Sequence, residues 1–126
     1  MNVFCLVLQV IIAVGLVNVW LLRFSKATPY RGGTAESMRE EFAVYGLAPF
    51  MMYSVGGLKL AIAASMIAGI WLPLLVLPSA AILILLMLGA FSMHLKVKDP
   101  LVKAVPSLLM LAMAIAVAIH YATFSR

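Results

Sequence analysis

From Leu58 to Leu95 the chain reads LKLAIAASMIAGIWLPLLVLPSAAILILLMLGAFSMHL, with Lys59 and His94 near its ends as the only side chains able to carry charge. A helix crosses the hydrocarbon layer with roughly 20 apolar residues, so this run is about two spans long. Pro73 and Pro78 stand near its middle, where a turn must fall. The pattern predicts a membrane hairpin with spans over about 50–71 and 74–94, its open ends on one side.

Two further apolar runs flank it. Val3 to Leu22 holds Gln9 and Asn18 as its polar members, with Trp20 near its end, where an indole suits the headgroup zone. Asn18 is expected to bond a neighbouring helix or reach the interface, because an unpaired amide in hydrocarbon is costly. The last run covers about 101–123. From Leu111 to Ile119 it alternates bulky residues with Ala, a strand-like period, but a lone strand would leave its backbone unpaired in lipid, so a helix is expected. Asp99–Pro100 reads as the start of this helix, with the carboxylate as N-cap. Pro106 is expected to bend its early part.

Residues 23 to 48 form the one sizeable polar segment. RFSKATPYRGG is punctuated as loop by Pro29 and Gly32–Gly33, whereas TAESMREEFAVYGL reads as a short amphipathic helix. Thr34 is its expected N-cap, with Glu36 in the first turn. Met38, Phe42 and Tyr45 share its apolar face, and Arg39, Glu40 and Glu41 lie off it. The expected fold is an all-α integral membrane domain over 1–126, a four-transmembrane-helix antiparallel bundle with that short helix between spans 1 and 2.

Within the second span Gly57, Ala61, Ala64 and Ala68 form a stripe of small residues, open to close approach by another helix. The same stripe, if exposed, suits a homodimer. Lys59 points the opposite way, with Met52, Val55, Ile62, Met66 and Ile70. In the third span Leu85, Gly89, Ser92 and Lys96 share a face, and Gly89 with Ala90 again permits close packing.

Composition agrees with lipid as the solvent: hydrophobic residues make up 66%, charged residues 10%, and mean hydropathy is +1.17. An ordinary soluble domain is about a quarter charged. The net charge of +5 marks loops and phospholipid headgroups. Nucleic-acid binding is not expected, since no basic face or stacking platform lies outside the spans. Arg23, Lys26, Arg31 and Arg39 fall in the first loop and Lys96, Lys98 and Lys103 in or beside the third, against Arg126 on the other side. The positive-inside rule then places loops 1 and 3 in the cytoplasm and both termini outside, in a bacterial-type inner membrane. The N-terminal run lacks a basic leader and is long enough to span, so it reads as a first span and not a cleaved signal.

Candidate chemistry is sparse. A single cysteine, Cys5, excludes internal dithiol exchange. No nucleophile–base–orienter set can be assembled, and the serines read as packing residues. His94 and His120 belong at opposite ends of the bundle, so one subunit cannot hold a haem between them, and neither has a metal-ligand partner at the right spacing. Two residues stand out. Lys59 is an ionisable group within a span, which either lifts its ammonium to the headgroups along its four-carbon stem or faces a pocket or an ion pair with Glu40 or Glu41. His94 sits at the hairpin's mouth, where it shuttles a proton, binds a ligand headgroup, or bonds loop backbone.

The segments LLRFSKATPY, FAVYGLAP, VGGLKL and MLGAFSMHLKVKDPLVKAVPS resemble the DoxX-like family of small four-span membrane proteins over nearly the whole chain. Gly89, His94, Asp99 and Pro100 match a family pattern, and a histidine five residues before Asp-Pro is similar to that of eukaryotic relatives that act as receptor-assembly chaperones. The sequence departs from the family at Lys59, where many members carry an acidic residue. The resemblance implies assembly of membrane partners, carriage of cargo, or association with quinone-linked sulfur oxidation.

The expected function is therefore binding of a hydrophobic small molecule, a lipid or a membrane partner in the cytoplasmic half of the bundle, without catalysis by the chain itself. The rival is a membrane subunit of a quinone-linked oxidoreductase. Asn18, Arg23, Tyr53, Lys59, Ser92 and His94 are the expected site residues. No intrinsic cofactor or metal is expected; a bound quinone or lipid is.

Overall fold

The computed structural model describes residues 3–124. Five helices follow in order: α1 (Val3–Val17), α2 (Met38–Val44), α3 (Pro49–Ala68), α4 (Val76–Lys96) and α5 (Val105–Phe124). With their extensions, four stretches are long and apolar enough to cross a membrane: Val3–Leu22, Pro49–Ala68, Pro73–Lys96 and Leu101–Thr123. Around the bundle α1 packs on α3 and α5, and α4 packs on the same two. Consecutive spans run antiparallel, so the polar segment 23–48 and the loop 97–100 meet at one end, called here the basic end. Met1, Asn2, Ser125 and Arg126, and with them the one basic residue expected on the opposite side, lie outside the described residues.

The hairpin turns at Gly69–Leu72, and Pro73 opens a short 3₁₀ turn over Pro73–Leu75 before α4. Proline suits such a first turn because it has no N–H to leave unpaired. A second 3₁₀ turn, Leu101–Ala104, precedes α5. Pro106 stands where that turn passes into the α-helix, so it helps to start the helix and does not bend its interior.

The half of the bundle remote from the basic end is solidly packed. Ile12, Ile62, Met66, Val76, Ala80, Leu83, Ala114 and Val117 meet there with almost no exposed surface. One polar clip crosses it: Gln9, 0% exposed, donates from Nε2 to the Met66 carbonyl at 3.0 Å and accepts the Tyr121 hydroxyl at 2.7 Å. It ties α1, α3 and α5 together and leaves no bare amide in the hydrocarbon.

Several local expectations are corrected. The loop helix is shorter than expected and begins at Ser37, whose hydroxyl accepts the Glu40 amide at 3.2 Å; Thr34 is not the cap, and Glu40 and Glu41 occupy the first turn. It ends where Gly46, at φ +78°, lets the Leu47 amide reach the Phe42 carbonyl and the Gly46 amide reach that of Ala43; this closure favours glycine because a Cβ resists positive φ. Met38, Phe42 and Tyr45 are buried as their spacing implied, but so is Glu41.

The stripe of Gly57, Ala61 and Ala64 is exposed, and the bulky face of α3 turns inward. The glycine that serves packing is Gly56, where a Cβ would stand 2.6 Å from the Trp20 ring. Gly89 does not mediate close packing either: nothing lies within 4 Å of where its Cβ would be.

Candidate ligand-binding cavity

The end of α1 is the first element to shape the site. Asn18–Leu22 forms a π-helical turn, closed by the Arg23 amide on the Asn18 carbonyl at 2.9 Å. Such wide turns are uncommon and recur at functional sites. Here Asn18, Val19, Trp20 and Arg23 all come to line one cavity. The Trp20 ring seats on α3 at Gly56 and packs with Met38, Phe42 and Met52. Phe42 meets it edge-on at 6.0 Å between centroids.

The cavity measures about 710 Å³ and occupies the half of the bundle next to the basic end. Met51 and Val55 of α3, Leu86, Gly89 and Met93 of α4, and Pro106 and Met110 of α5 supply mostly apolar walls, and α2 with its loop forms the roof. Volumes of roughly 300–1,000 Å³ with apolar walls and a few polar groups are typical of small-molecule sites.

The roof is a chain of polar contacts. Arg31, 4% exposed, donates to Glu41 Oε2 at 2.9 Å and to the carbonyls of Arg23, Phe24 and Lys26. Glu41 Oε1 accepts from the Gly32 amide at 3.1 Å and the Tyr45 hydroxyl at 2.7 Å. The Tyr45 hydroxyl also lies 3.5 Å from His94 Nε2, and His94 Nδ1 lies 2.7 Å from Asp99 Oδ2. Asp99 Oδ1 accepts the Gly33 amide at 3.0 Å, with the Lys103 ammonium 3.9 Å away. The line Arg31–Glu41–Tyr45–His94–Asp99 thus joins the first loop to the third.

Burial alone would raise the Asp99 carboxyl. The His94 hydrogen bond, the Gly33 amide and the charges of Lys103 and His94 outweigh it and hold the carboxyl below its usual range. Burial first, and then the Glu41 carboxylate, push the Tyr45 phenol upward, so it stays a neutral donor.

Of the expected site residues, Asn18, Arg23, Lys59 and His94 are brought together on the cavity wall. Tyr53 and Ser92 are not. Tyr53 stands about 120° from Lys59 around α3; it is exposed and accepts a hydrogen bond from Arg39 at 2.6 Å. Ser92, two residues from His94, faces outward and donates to the Leu88 carbonyl at 2.8 Å. Asp99 is not an N-cap for the last helix, because its carboxylate is spent on Gly33 and His94.

Lys59 is 8% exposed. Its ammonium stands 5.3 Å from the Trp20 ring centroid, and the residue lines the cavity. Arg31, Glu41 and Tyr45, absent from the expected set, form the roof. The four-residue spacing of Glu41 and Tyr45 was a signal of them in the sequence, but the expected apolar face, with Tyr45 on it and Glu41 off it, separated the pair that the structure joins.

Fold and cavity together define a multi-pass membrane protein, a four-helix bundle with an apolar chamber under a polar roof. The chain belongs to the DoxX-like family, whose model matches residues 7–117. Neither a curated protein nor a solved structure matches it significantly.

Proposed function

We propose that this chain is a non-catalytic binding protein of a bacterial-type inner membrane, oriented with the basic end in the cytoplasm. Its chamber receives a hydrophobic small molecule or a lipid acyl chain, for storage, delivery or assembly of a membrane partner. The observation that supports this most is the contrast between the two halves of the bundle, one packed solid and the other open for about 710 Å³ behind a hydrogen-bonded roof. A purely structural bundle gains nothing from that gap, since unfilled apolar volume forfeits dispersion contacts.

Gly89 provides the test. Gly89 lines the chamber and nothing lies within 4 Å of where its Cβ would be, so a leucine there narrows the chamber's wall at little steric cost, and it favours the helix more than glycine does. Native mass spectra from mild detergent are expected to carry a bound small molecule in the native protein and none in Gly89→Leu, with thermal stability retained. Identical spectra without adducts would overturn the proposal.

A second reading is supported by the inward-facing Lys59 ammonium, a donor suited to a quinone carbonyl. A retained quinone whose spectrum changes in Lys59→Met would assign the chain to the membrane part of a quinone-linked oxidoreductase.

A further inference from the structure

The wall of the chamber carries more positive charge than its own residues neutralise. Each buried ionic group of the roof is matched. Arg31 is spent on Glu41 and three carbonyls, and Glu41 already accepts from Arg31, Gly32 and Tyr45. His94 bonds Asp99, and Lys103 bonds the Gly33 carbonyl beside Asp99.

Lys59 is the exception. Its side chain is more than nine-tenths buried and lines the chamber. Its ammonium has the face of Trp20 at 5.3 Å and feels the Glu41 carboxylate through space, but neither Glu41 nor any other described residue makes a hydrogen bond or ion pair with it. An ammonium has three donors and a high cost when none is met out of water. Arg23 lines the same wall but is exposed, and none of the ion pairs among the described residues includes it.

We infer that the chamber's ligand is an amphiphile with an anionic oxygen head, a carboxylate or a phosphate, whose head pairs with Lys59 while its apolar tail lies along the walls. This rests on the proposed binding role and narrows it to one ligand chemistry. The head supplies the acceptor that the fold withholds from Lys59. Charge-assisted hydrogen bonds to so buried an ammonium separate an anionic head from its neutral counterpart by roughly tenfold or more in affinity.

Trp20 is a built-in reporter. The only other tryptophan, Trp71, sits exposed at the hairpin turn and can be replaced by phenylalanine. The full-length Trp71→Phe protein in neutral detergent is titrated with 9,10-dibromostearate and with its methyl ester, at about pH 8, where the acid is ionised. Bromine quenches indole fluorescence only on close approach.

The acid is expected to quench Trp20 at roughly tenfold lower concentration than the ester. Lys59→Met is expected to abolish that preference, so that acid and ester quench the variant at similar concentrations, and a melting temperature no lower than that of the Trp71→Phe parent reports that the bundle is intact. Brominated phosphatidylglycerol and phosphatidylcholine form a second pair. Preference for the glycerol lipid with no response to stearate identifies the head as a lipid phosphate and supports the inference equally.

Equal quenching by acid and ester, with no preference between the lipids, overturns the anionic head and leaves the binding chamber standing. Anionic preference that persists in Lys59→Met also overturns it. Quenching by none of the four probes beyond their partition into detergent overturns both the head and the chamber.

Discussion

At the scale of single residues, Asp99 shows how much one buried carboxylate can organise. It accepts from Gly33 in the first loop and His94 at the end of α4, so replacing it with alanine orphans two donors at once. Each orphan costs about 1–3 kcal/mol, and a loss of that order is expected in the unfolding free energy of Asp99→Ala in detergent. The carboxyl is held below its usual range when folded. The unfolded chain therefore binds the proton more readily. The stability Asp99 contributes is full above the unfolded value near pH 4 and is lost as pH falls through the lower folded value. Thermal scans across acidic pH should show this fall in the native protein and a flatter profile in Asp99→Ala.

At the scale of elements, the α1–α3 contact depends on one glycine of a neighbouring pair. Gly56→Ala drives a methyl against the Trp20 ring, whereas Gly57→Ala meets nothing within 4 Å. The first is expected to cost about 1–3 kcal/mol through overpacking, and the second to be neutral or to gain up to about 1 kcal/mol from the loss of a helical glycine. Melting curves of the two variants measure the difference. The polar clip makes a separate prediction for α1 and α5. Gln9→Leu and Tyr121→Phe are expected to couple in a double-mutant cycle by about 0.6–1.7 kcal/mol, the range seen for hydrogen bonds between membrane helices. Additive losses would mean that the clip contributes nothing as a pair.

At the scale of the whole molecule, the proposed orientation predicts that alkaline phosphatase fused after the C-terminus is active and green fluorescent protein fused there is dark; the reverse pattern would invert the layout. The four spans and the hairpin were legible in the sequence because lipid demands long apolar helices and little else satisfies their backbones. The family resemblance was legible too, and the phase of Lys59 on α3, opposite Gly57, Ala61 and Ala64, follows from helical geometry. Which face of α3 turns inward was not. Both its faces are apolar, and with lipid as apolar as the core, hydrophobicity does not choose between them. Only packing decided it, when Trp20 found room at Gly56 and carried Lys59 into the chamber. The roof was hidden for a different reason. Tyr45 and His94 are far apart along the chain, as are Gly33 and Asp99, and no local pattern records a hydrogen bond that forms only once the two loops meet. Sequence alone determined the medium, the number of crossings and the gathering of positive charge at one end. The tertiary structure decided which half of the bundle is solid, which is open, and which ammonium is left inside without an acceptor.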